Sequence, residues 1–249
     1  MNDLQRAAAG PLLEDGAKWG ENGAEVARYS DVVITCLPSP QASAEALEGE
    51  GGVLTGLSAG KIWLEMSSSD HQEVLRLGER VTALGADALD SPVSGGCHRA
   101  ATGNIAIFTG GARAAFERAL PVLTTIGRKV LHTGPLGSAS ILKVATNCLA
   151  GVHLIATGEA LMVAKKAGID LGVAYEAIRI SSGNSFTHET EGQLILNGSY
   201  VVDFTMDLEL KDLSLFQSLA EQHQIPLELS PLAVDIVACL LYTYPSPRD

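Results

Sequence analysis

The 249-residue sequence predicts an α/β protein: a doubly wound, mostly parallel sheet followed by an all-α C-terminal domain built on a long interdomain helix. Three observations carry that reading. Up to residue 132, short apolar or β-branched runs (DVVITCL, KIWLEM, NIAIFT) alternate with amphipathic stretches of helical length, which is the spacing of βαβ units. From Gly134 onward the pattern changes to helix after helix. The first of these, residues 138–167, runs without a proline until Gly168 and would be roughly 45 Å long.

The elements follow in order. Residues 4–14 read as a short helix, 16–19 as an extended piece and 24–29 as another short helix. Asp31–Leu37 is a buried parallel strand closed by Pro38-Ser39-Pro40, and helix follows over 41–48. Lys61–Met66 is a second strand, 70–84 an amphipathic helix, and 86–89 a third strand ending at Asp90. Residues 104–109 form a fourth strand, 112–126 a helix and 129–132 a last short strand. Helices are then expected over 138–167, 173–181, 185–196, 206–223 and from Ser230. The domain boundary falls near Gly134, and the Pro-rich end YTYPSPRD, 242–249, reads as an unstructured tail or scar.

The long helix is apolar almost all round, so it should be buried on several sides. Lys143, Asn147, His153 and Glu159 interrupt it, which favours a central globular helix over a membrane span. The net charge of −12 argues against nucleic acid and anionic membrane surfaces but leaves room for an anionic small molecule at a locally basic site. Cys36, Cys97, Cys148 and Cys239 are scattered with no metal-ligand spacing, so reduced, buried thiols and no metal are expected. The N-terminal stretch MNDLQRAAAGPLLEDG lacks the apolar core of a signal peptide, and a cytoplasmic protein is expected.

Three constellations could carry chemistry. Asp90-Ser91-Pro92-Val93-Ser94-Gly95-Gly96 lies at a strand's carboxyl end, where open α/β sheets take ligands. Ser94 offers a hydroxyl, and Gly95 and Gly96 let backbone N–H groups approach a carboxylate or phosphate; an ordinary tight turn explains the glycines equally well. Lys143 and Asn147, four apart, project from one helix face. A Lys in a dry pocket near a second cation can act as general acid or base, whereas a snorkelling Lys would be only structural. Asp207–Leu215 carries Lys211 and Asp212, which in isolation read as a solvated charged face.

In this order and spacing the segments resemble the β-hydroxyacid dehydrogenases, the family of 3-hydroxyisobutyrate dehydrogenase and tartronate-semialdehyde reductase, with 6-phosphogluconate dehydrogenase a more distant member. The family's DxPVSGGxxxAxxGxL segment is matched by DSPVSGGCHRAATGNI (90–105), its GxxGxGxxxKxxxN segment by GPLGSASILKVATN (134–147), and its late KDL by Lys211-Asp212-Leu213. The resemblance covers roughly residues 4–240 and implies a Rossmann-type domain over 1–133, a helical dehydrogenase domain over 134–241, and NAD or NADP as cofactor. It implies that Lys143 is the general acid/base, that Asn147, Ser94, Gly95 and Gly96 bind a small carboxylate substrate, and that Leu37, Pro38, Ser68 and Lys211 line the cofactor. It also implies a homodimer or homotetramer.

Departures from the family pattern shape the reading. No GxGxxG fingerprint exists anywhere in the sequence, so a partial, N-terminally truncated Rossmann domain with impaired dinucleotide binding is expected. Ala150 stands where 6-phosphogluconate dehydrogenase-like sequences carry a glutamate, which disfavours that phosphorylated substrate. His98 and Arg99 replace the small residues usual in the family at the mouth of the substrate loop; two readings stand, recognition of a more polar or dicarboxylate substrate and simple exposure to solvent. The alternatives are a 6-phosphogluconate-type or imine-reducing relative and a non-catalytic interaction module, the last disfavoured by the retained Lys143 and the acidic charge.

Overall fold

A computed structural model describes residues 1–199 and 204–243. The chain divides into two compact units, Met1–Lys143 and Val144–Asp249.

The first unit contains α1 (Gly10–Glu14), α2 (Gly23–Arg28), β1 (Val32–Thr35), α3 (Pro40–Glu48), α4 (Val53–Gly56), β2 (Ile62–Glu65) and α5 (His71–Thr82). It continues with β3 (Asp87–Asp90), β4 (Val93–Ser94), α6 (Cys97–Ala101), β5 (Ile105–Gly110), α7 (Arg113–Ile126) and β6 (Gly127–Gly134). Residues 16–19, expected to be extended, are irregular and held by Gly20 N–H donating to Met1 O at 2.8 Å. The helices begin where short polar side chains replace the missing intrahelical acceptors: Asn22 accepts from Glu25 N–H, Ser39 from Ala42 N–H and Asp70 from Glu73 N–H.

The sheet runs β1-β2-β3-β5-β4, with β6 on the other side of β5. β1, β2 and β3 are mutually parallel and so are β5 and β6, but β5 runs antiparallel to β3 and β4. The reversal has a simple cause. The link between β4 and β5 holds only the five-residue α6, too short for the crossover that parallel strands require. The pleat sends alternate residues to opposite faces, as a doubly wound sheet needs. Trp63 packs with Leu47, Leu77 and Val81 of α3 and α5, while its neighbours Ile62 and Leu64 pack with Phe116, Ala119 and Leu123 of α7. Each fully buried side chain of that size is worth about 1.5–3 kcal/mol.

α8 (Ser138–Lys166) leaves the first unit and enters the second. There follow α9 (Leu171–Arg179), α10 (Phe186–Asn197), α11 (Met206–Gln222) and α12 (Leu229–Thr243). Tyr242 and Thr243, expected in an unstructured tail, belong to α12; the rest of that tail lies outside the described residues. The core of this unit is made by Cys148, Leu213, Ala233 and Val237, from α8, α11 and α12. Among the described residues α8 is the one helix long and apolar enough to cross a membrane. It is less enclosed than its composition predicts: Leu149 is 57% exposed and Val163 69%, so the apolar residues exceed what this chain alone covers. The cysteines are free as expected, but Cys36, Cys97 and Cys239 are exposed and only Cys148 is buried. They sit outside the apolar clusters because their positions fall on strand exits and helix faces turned to solvent.

Candidate active site

β1, β2 and β3 are parallel, so their carboxyl ends lie at one end of the sheet, and Leu37, Pro38, Ser68 and the Asp90–Gly96 segment follow those strands in sequence. β1 delivers the half-buried Leu37 and the exposed Pro38; β2 delivers the half-buried Ser68. The two exits are tied together by Leu37 N–H donating to Ser67 Oγ at 2.8 Å. Beneath them lies Glu65, fully enclosed, with Oε1 accepting from Ser67 N–H at 2.8 Å and Oε2 from the Thr35 hydroxyl at 3.0 Å. Thr35 in turn accepts from Trp63 Nε1–H at 2.9 Å, and its own hydroxyl has Glu65 Oε2 as the nearer acceptor and Leu64 O, at 3.5 Å, as the farther. Burial pushes the Glu65 carboxyl above its ordinary range against the pull of these donors.

The β3 exit carries Asp90 and then the candidate carboxylate cradle. Ser94 pairs with Ala106 of β5, which holds the loop in register. Gly95 and Gly96 have φ of +134° and +83°, a left-handed backbone that strains any side chain, so these glycines answer to geometry and not to turn composition alone. A Cβ on Gly95 would stand 3.0 Å from Arg99 Cδ, so the arginine stem lies against the cradle. Lys143 is 8% exposed, unlike a lysine that snorkels to solvent.

In the second unit, Asn147 Nδ2–H donates to the Asp212 carboxylate, and Lys211 Nζ lies 2.8 Å from Asp212 Oδ1. The latter contact is an ion pair set off the line of a directed hydrogen bond, since Asp212 Oδ1 has no aligned donor. Asp212 is 1% exposed, so the reading of residues 207–215 as a solvated charged face does not hold for it. The sequence placed Asn147 and Lys211 in separate segments and gave Asp212 no function; α8 and α11 bring all three together. Lys143 and Asn147 share a helix face by spacing but fall on either side of the division between the units. Among the described residues no group of His, Cys, Asp or Glu is arranged to hold a metal ion.

Known proteins resemble the chain along most of its length. Residues 1–134 match the family model described as the NAD binding domain of 6-phosphogluconate dehydrogenase. Residues 137–249 match that described as NAD-binding of NADP-dependent 3-hydroxyisobutyrate dehydrogenase. The chain is 33% identical to the 2-(hydroxymethyl)glutarate dehydrogenase of Eubacterium barkeri, over 94% of this chain and 78% of that protein. The chain belongs to the β-hydroxyacid dehydrogenase family. Two further relatives fit that placement. The L-threonate dehydrogenase of Haemophilus influenzae is 33% identical over 93% of this chain and 77% of its own length. The crystal structure of 3-hydroxyisobutyrate dehydrogenase from Salmonella typhimurium superposes with a TM-score of 0.86 at 30% identity, covering 95% of this chain and 83% of that one.

For a member of this family, the residues at that end of the sheet fit a nicotinamide dinucleotide in kind. An apolar pair, Leu37 and Pro38, stands beside a hydroxyl, Ser68, on neighbouring exits of parallel strands. The glycine fingerprint that would seat a pyrophosphate has no counterpart in the sequence.

Proposed function

We propose that this β-hydroxyacid dehydrogenase interconverts a small 3-hydroxy acid, of the 3-hydroxyisobutyrate or tartronate-semialdehyde type, and its carbonyl form, with Lys143 as the general acid/base. NAD or NADP supplies the hydride acceptor when bound. An alcohol C–H gives up hydride only as its O–H proton leaves, so one poised base beside the reacting carbon is the minimum equipment. Lys143 Nζ takes that proton in oxidation and returns it to the carbonyl oxygen in reduction. The Ser94 hydroxyl and the N–H groups of Gly95 and Gly96 hold the substrate carboxylate, and Asn147, anchored on Asp212, orients the substrate. Leu37, Pro38, Ser68 and Lys211 line the cofactor.

The observation that carries this reading is the enclosed Lys143 in the same unit as a left-handed Ser-Gly-Gly cradle. A non-catalytic relative has no need of a lysine in that position. Arg99, whose stem borders Gly95, supports a substrate with a second polar or acidic group, and the relative named for 2-(hydroxymethyl)glutarate is of that kind. The cytoplasm is the proposed location, and a homodimer or homotetramer the proposed assembly. Because no GxGxxG exists, the chain is expected to hold dinucleotide more weakly than the micromolar range.

The test is turnover of a panel of mono- and dicarboxylic 3-hydroxy acids at high cofactor concentration, with calorimetry of NADH and NADPH alongside. Lys143→Ala should lower kcat by about 10²–10⁴-fold and leave dinucleotide affinity unchanged. Arg99→Ala should raise KM for the dicarboxylic members only. Turnover of the Lys143→Ala variant within a few-fold of the parent would end the reading.

A further inference from the structure

We propose that Asp90 is a positioning residue that seats the Lys143 helix on the substrate-binding loop; this rests on the assignment of Lys143 and Ser94–Gly96 above. Asp90 is the last residue of β3, opposite Gly110 of β5, and is fully enclosed. Its Oδ1 accepts from Gly137 N–H at 2.9 Å. Its Oδ2 accepts from Ser140 N–H at 2.7 Å and from the Ser140 hydroxyl at 2.9 Å. One carboxylate from the sheet therefore occupies the amino end of α8, a place where orphan N–H groups and the helix dipole favour negative charge.

The sequence explains why a remote cap is needed. A helix usually finds its first acceptor on the side chain just before it, but that residue is Gly137, with φ of +86° and no side chain. Ser138, which looks like the local start signal, is engaged elsewhere: its hydroxyl lies 2.7 Å from Thr133 Oγ1. The space for Asp90 is kept open by the facing glycine. A Cβ on Gly110 would fall 2.4 Å from Asp90 Oδ1 and 2.7 Å from both Pro135 O and Ser138 Oγ.

The consequence for chemistry follows from chain distance. Ser94, Gly95 and Gly96 start four residues after Asp90, and Lys143 lies three residues after Ser140, one turn along the helix. The cradle and the acid/base are thus referenced to a single buried anchor. If Asp90 is lost, the first turn of α8 has no side-chain acceptor for Gly137 and Ser140, and the lysine is free to shift relative to the cradle. A misplacement of about 1 Å can cost about 100-fold in rate.

The experiment compares Asp90→Asn and Ser140→Ala with the parent chain. Amide hydrogen exchange over residues 137–143, measured without cofactor, reads the cap directly. The pH profile of kcat and the KM for dinucleotide, measured at saturating hydroxy acid, read the lysine. Asp90→Asn keeps one acceptor and turns an amide N–H₂ toward donors. It should lose protection over 137–143, drop kcat about 100-fold, move the pH profile and leave dinucleotide KM unchanged. Ser140→Ala removes one donor only and should show the same pattern at about a tenth of the effect. A folded Asp90→Asn variant with parental exchange and parental pH profile overturns the proposal. If Asp90→Asn does not fold, Ser140→Ala decides by the same readouts. A parent that turns over no hydroxy acid, while Asp90→Asn still loses protection, would refute the function proposed above and leave the cap standing.

Discussion

Glu65 closes β2 with its carboxylate enclosed and faced by two neutral donors, the Thr35 hydroxyl and Ser67 N–H. Burial raises its carboxyl above the ordinary range, so the folded state binds the proton more tightly than the unfolded chain. Stability from this group is complete below the unfolded value of about 4.3 and is lost as pH rises through the folded value. Glu65→Gln removes the titration. Relative to the variant, the parent should lose stability between pH 4 and neutrality. Urea midpoints across that range check it, and a difference that does not change with pH contradicts it. The sequence put Glu65 inside the strand run KIWLEM but gave it no role; that its charge is enclosed shows only in the fold. Asp212 was not visible. A Lys-Asp pair in a helix reads as a solvated face, and only the packing of α8 on α11 shows that Asp212 is buried against Asn147.

At the level of elements, the strands and longer helices were legible because each has a period and a stop signal. The amphipathic α5, for example, is capped by Asp70 and buries Val74, Leu77 and Val81 on one face. What escaped was short: α4, β4 and α6 are too brief to show a period, and their existence depends on tertiary contacts. β4 matters most, since it turns the Ser94 loop back along β5 and makes the sheet mixed. α4 is held by close backbone approach. A Cβ on Gly56 would sit 1.9 Å from Ala24 O, so α2 and α4 can cross only with glycine at that point. Gly56→Ala should therefore destabilise the first unit by about 1–3 kcal/mol, visible as a lower thermal midpoint. An unchanged midpoint would show that the two helices separate without cost.

For the molecule as a whole, the unmet need is cover for α8. Leu149, Ala156 and Val163 recur every seven residues and are all exposed, which places them in one stripe along the helix. Met162, at 62% exposure, widens it. Exposed apolar residues recurring along one helix, here spaced by the exposed His153 and Glu159, are a candidate association surface. A second copy of the same chain is the proposed occupant, because a helix presenting the stripe can pair with its own symmetry mate through one isologous contact. The acidic charge of −12 opposes association at low ionic strength, so self-assembly should strengthen as salt screens it. Sedimentation at micromolar concentration should give a species of at least twice the 26.0 kDa chain mass, and Leu149→Glu combined with Val163→Glu should return it to the monomer. A chain that stays monomeric at every concentration and salt level would show that the stripe is covered by something other than itself.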